Sequence, residues 1–105
     1  MTSFQMNDAE RKLACRFGGR MDTAACQQDS AAVETRVNEA LQAGGGPLSV
    51  EFDLAGVAFV SSAFIRICLS TAKRIEKGRF SIVHTDASIK KTFKIAGLDL
   101  LLNVQ

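Results

Sequence analysis

Two adjacent hydroxyls, Ser61 and Ser62, are the side chains best placed to do chemistry. They lie within GVAFVSSAFIRICL (56–69), between an apolar run that reads as a strand and a second that reads as a helix. A hydroxyl at such a junction has two uses. It can cap the helix by accepting from a free backbone N–H, or it can accept a phosphate whose charge the helix N-terminus would tolerate. Ser62 is most simply the N-cap. Nucleophilic catalysis would also need a base, and His84 is the one histidine in the chain. The local sequence is not Gly-x-Ser-x-Gly, so a serine hydrolase is not expected and no catalytic residue is assigned.

Other chemistries find less support. Cys15, Cys26 and Cys68 are widely spaced, form no C-x-x-C pair and sit in apolar patterns. They read as reduced core thiols of a cytoplasmic protein, not as metal ligands. The GGGP at 44–47 follows a helical pattern and lacks a subsequent Lys-Ser/Thr, so it reads as a helix stop and not a phosphate loop. No cofactor or metal is expected.

The elements that must position the serines follow from periodicity. A short strand is expected at 4–7, and KLACRFGG alternates as a half-buried strand with Leu13, Cys15 and Phe17 on one side. A helix is expected from about Thr23 to Ala43, capped by Asp22 or Thr23, with Cys26, Val33, Val37 and Leu41 on one face. LSVEFDL alternates again, with Asp53 facing solvent, and a turn at Ala55-Gly56 precedes VAFV. Ser62–Lys77 reads as a helix burying Phe64, Ile67, Cys68 and Ile75. RFSIVH reads as a strand, and Asp86 caps a third helix closed by Gly97. LDLLLNV reads as a last strand or short terminal element. Strands alternating with helices imply α/β architecture: a mixed sheet of about four to five strands with helices mainly on one face.

The totals agree with one domain spanning 1–105. Apolar residues make up 47% of the 105 and charged residues 23%, as in an ordinary globular chain. A net charge of +2 argues for neither nucleic acid nor membrane as partner. The lysines and arginines at 73, 74, 77, 79, 90, 91 and 94 read as wet helix faces. The opening residues carry no signal-peptide pattern, and no apolar run reaches the roughly 20 residues a bilayer span needs. Oligomeric state is not legible.

Three segments, FGGRMDTAAC, VEFDLAGVAFVSSAF and GRFSIVHTDASIKKTFKIAGLDLLL, occur in the order and spacing of a known family. Through them the sequence resembles the STAS domain, the fold of bacterial anti-sigma-factor antagonists and of the cytoplasmic regions of sulphate transporters. The resemblance implies a protein-interaction module and not an enzyme. In the antagonist branch the first serine of Asp-Ser-Ser-Gly is phosphorylated by a partner serine kinase that is itself the anti-sigma factor, and a phosphatase resets it. That position corresponds to Ser61. Asp22 takes the family's acidic position, and Ser62, Phe64 and Ile65 fall in the first helical turn that contributes to docking. Two departures stand out: Val60 replaces the aspartate before the serines, and Ala63 replaces the glycine after them. Val60 favours a second reading, a STAS scaffold of a transport or signalling complex that is never phosphorylated.

Overall fold

The computed structural model describes residues 2–44 and 46–105. Gly45, inside the expected GGGP stop, lies outside them. A four-stranded sheet runs in the order β1 (Thr2–Asn7), β2 (Lys12–Met21), β3 (Ser49–Val60), β4 (Phe80–Val83). β1 pairs antiparallel with β2, whereas β2–β3 and β3–β4 are parallel. Each parallel step therefore needs a crossover, supplied by α1 (Thr23–Gln42) and α2 (Ser62–Ala72). α3 (Ala87–Ile95) follows β4, and Val104 returns to form an isolated parallel bridge with Ile82. Among the described residues the sheet thus has four strands, and the C-terminal segment contributes a single bridge in place of a fifth.

Strand alternation divides the sheet into two faces. The inner face presents Leu13, Cys15, Phe17, Val50, Phe52 and Ile82, all buried. Its centre is aromatic: Phe17 meets Phe52 and Phe64 edge-on with centroids 4.9 and 5.1 Å apart, and Phe52 meets Phe80 at 5.0 Å. Edge-to-face pairs of this kind add about 0.5–1.5 kcal/mol each beyond area burial. The outer face carries charge, with Lys12 paired to Glu51 at 3.4 Å and Arg16 to Asp53 at 3.5 Å.

Four expectations are corrected. β3 does not turn at Ala55-Gly56. It runs straight through, and two register shifts against β2 each place an extra residue on β3. Burial changes there from every second residue to every third, so Leu54, Val57 and Val60 point inward. Asp53 is not solvated: it is 8% exposed, bound to the Ala55 amide at 2.9 Å and to His84 Nδ1 at 3.0 Å. α2 ends at Ala72, because the chain tightens into i→i+3 bonds (Arg74 N–H to Thr71 O, Ile75 N–H to Ala72 O) that carry Ile75 into the core. In α1 the buried stripe closes on Ala40, and Leu41, one position on, is exposed.

Candidate functional site at two adjacent helix N-termini

The parallel strands β2 and β3 end level with each other, Met21 opposite Val60. The next residue in each chain segment, Asp22 and Ser61, starts a helix. Two helix N-termini therefore emerge side by side at the carboxyl ends of adjacent parallel strands.

Both first residues have extended backbones and cap with their side chains. Asp22 accepts from the Ala25 amide at 2.9 Å. Ser61 accepts from the Phe64 amide at 3.3 Å. The N-cap of α2 is therefore Ser61, not Ser62. The extended ψ at Ser61 (171°) turns its hydroxyl back over the first turn, whereas Ser62 already sits in the helix and is exposed.

The Met21 carbonyl ties the two helix starts together. It accepts from the Ser61 amide at 3.0 Å and from the Ser61 hydroxyl at 2.8 Å. The Cys26 thiol, on the first turns of α1, lies 3.7 Å from the same oxygen and 3.9 Å from Ser61 Oγ. The Ser61 hydroxyl thus donates to Met21 and accepts from Phe64, and the residue is only partly exposed.

The remaining expected site residues separate by burial. Ile65 is half-buried and Asp22 partly exposed. Phe64 is 0% exposed, so it presents no surface to a partner; it anchors α2 on Phe17. Val60 is buried as well, at 7%.

Two neighbours of the serines escape sequence reading. Phe59 is turned outward at 38% exposure, and the Arg20 guanidinium stacks over it 4.4 Å from the ring centroid. Within an apolar run such as VAFV, no spacing signals which residue faces out, since the register shifts of β3 decide it. Cys26 was legible as a core thiol but not as a neighbour of Ser61, a contact that spans 35 residues.

None of the three thiols is primed to react. Burial pushes Cys15 up to about 12, against a smaller opposing pull from Arg36. Burial also raises Cys68 and Cys26, the latter partly offset by its contact with Ser61. Among the described residues no group of three or more His, Cys, Asp or Glu side chains is placed to hold a metal ion. No described helix is long and apolar enough to cross a membrane.

No protein-family model and no curated protein matches the sequence. Solved structures do. A STAS-domain anti-sigma-factor antagonist protein from Planctomyces limnophilus superposes with a TM-score of 0.78 at 20% identity, covering 99% of this chain and 87% of that one. The Bacillus cell fate determinant SpoIIAA in its phosphorylated form gives 0.71 at 17% identity, covering 100% and 89%. The anti-sigma factor antagonist SpoIIAA in its unphosphorylated form gives 0.67 at 16%, covering 90% and 83%.

The chain has the STAS fold. Within it, the paired helix starts at Asp22 and Ser61 form the end of the molecule where β2 and β3 stop, and Ser62, Phe59 and Arg20 make up its exposed surface.

Proposed function

We propose that this STAS domain is a cytoplasmic, phosphorylation-switched interaction module of the anti-sigma-factor antagonist type. It binds a partner serine kinase that doubles as anti-sigma factor while Ser61 is unmodified. Phosphorylation of Ser61 releases it, and a phosphatase restores it. The observation that carries this reading is the placement of Ser61 as N-cap of α2, beside the capped start of α1. The protein is substrate and ligand here, not catalyst.

The chemistry follows from the hydrogen bonds. Ser61 Oγ attacks the γ-phosphorus of ATP, ADP leaves, and the hydroxyl proton passes to a base of the kinase. The product loses its donor to Met21 O, formerly 2.8 Å away, and sets phosphate oxygens against a carbonyl oxygen. Repulsion turns the phosphate outward, where the free N–H groups of α2 and its dipole favour a dianion. The fold is kept while the surface presented by Asp22, Ser62 and Ile65 acquires a bulky, hydrated charge.

A second reading, a STAS scaffold that is never phosphorylated, is favoured by two specific facts. Ser61 Oγ is engaged on both sides, and the residue before it is the buried, apolar Val60. The deciding experiment is an intact-mass spectrum of the protein from its native cells with fragment mapping across 56–69. Phosphate on Ser61 supports the switch. Its absence in every growth condition, with Ser61→Ala cells behaving normally, leaves the scaffold.

A further inference from the structure

Beginning beside the serines, at Cys26 and Ala63, α1 and α2 enclose a groove of about 390 Å³. That volume is in the range of small-molecule sites. Its floor is apolar, formed by Cys26, Val33, Ala63 and Ile67. One rim carries Arg66, Ser70 and Arg74, and the other Gln27, Ser30 and Glu34. Arg66 and Arg74 make no ion pair or side-chain hydrogen bond among the described residues. Two guanidinium groups beside an apolar trough, with no internal carboxylate satisfying them, leave the groove complementary to an anion that carries an apolar body.

The ends of the groove differ. α1 and α2 each follow one of two neighbouring parallel strands, so they run in the same direction. Thr23 and Ala63 therefore lie at one end, and Glu34 and Arg74, each 11 residues further along by number, at the other. Glu34 shares that end with Arg74, although no ion pair joins them. Toward the opposite end the α1 rim carries the neutral Gln27 and Ser30.

From this we infer that the α1–α2 groove binds a small amphipathic carboxylate, its head on Arg66 and its apolar body along Val33 and Ile67. The site is independent of the phosphorylation reading, since none of its recognition groups is Ser61 or Asp22.

The test is titration of the intact protein with octanoate, followed by amide chemical shifts and calorimetry, with 1-octanol and acetate as tail-only and head-only probes. Saturable octanoate shifts confined to α1 and α2 are expected, with weaker binding of both controls. Arg66→Gln should weaken octanoate by about tenfold, the worth of one hydrogen bond to a charged group, and Arg74→Gln by less. Both arginines are exposed, so the variants should fold, which their thermal unfolding checks. Equal binding of octanol and octanoate would reduce the groove to an unspecific apolar surface and overturn the inference. So would an Arg66→Gln variant of unchanged affinity, or shifts mapping elsewhere. Absence of small-molecule binding alongside an Arg66→Gln defect in capturing a protein partner would also overturn it, assigning the groove to a partner's side chain.

Discussion

Ser61 caps α2 and is the proposed switch, and two substitutions separate these roles. Ser61→Ala removes the acceptor for the Phe64 amide and the hydroxyl donor to Met21 O. Cap loss typically costs about 0.5–2 kcal/mol. The Met21 carbonyl is not orphaned, because it keeps the Ser61 amide at 3.0 Å, so no extra penalty for an unsatisfied buried acceptor applies. The expected loss is therefore about 1 kcal/mol, a drop of about 4–8 °C in Tm for a domain of this size. Ser61→Asp keeps a good capping oxygen and adds about 0.3–1 kcal/mol from the helix dipole, at the cost of facing Met21 O without a proton. Its stability should lie at or above that of Ser61→Ala at pH 7, and the gap should shrink as the new carboxylate protonates near pH 4. Urea unfolding of the three proteins at both pH values measures this. In partner capture, Ser61→Ala should bind and Ser61→Asp should not. If Ser61→Asp is instead the less stable by more than 1 kcal/mol, repulsion from Met21 O dominates. A phosphate would then break the fold, and a switch residing in the interface would be refuted.

Three further outcomes follow from the same contacts. Phe64→Ala empties the centre of the aromatic cluster and should cost about 3–5 kcal/mol in urea unfolding, with partner binding lost only in proportion to folding. Burial raises the Asp53 carboxyl, but the Ala55 amide, His84 and Arg16 outweigh it and hold the group below its usual 3.8. A depressed carboxyl contributes stability that is complete above the unfolded value and is lost as pH falls through the folded one; Asp53→Asn should flatten that part of the acid-unfolding curve. The thiols should resist an aromatic disulfide reagent in the native state, with Cys26 labelling first because it borders the open groove, whereas Cys15 and Cys68 should label only at the rate of global opening.

Elements whose burial obeys a single period were legible in the sequence. β2, the first half of β3, α1 and α3 each keep one period along most of their length, and their caps Asp22 and Asp86 are the residue types that capping demands. The second half of β3 was not, because its alternation is reset by pairing with a strand 30 or more residues away. The same holds for Asp53: its parity is outward, as read, but Arg16 and His84 close over it from neighbouring strands. Ser61 and Ser62 were legible as a cap-bearing pair, yet which one caps depends on where the extended backbone ends, and boundaries are the least determined feature of a sequence. The partnership of Ser61 with Met21 and Cys26 had no local signal at all.

Val60, immediately before the serine pair, brings no charge to the site. Val60 faces the core at 7% exposure, where a valine is at home and an ionised carboxylate would need partners that this register does not supply. At the paired helix starts the acidic group is Asp22, already spent on the Ala25 amide. The exposed cation on the same end is Arg20, steadied by its stack on Phe59. A phosphate on Ser61 would meet two helix N-termini, one of them capped by the Asp22 carboxylate, with the Arg20 guanidinium on the same end. In the proposed switch the discrimination is therefore the partner's, through the bulk and hydration of the dianion beside the exposed Ser62 and Phe59.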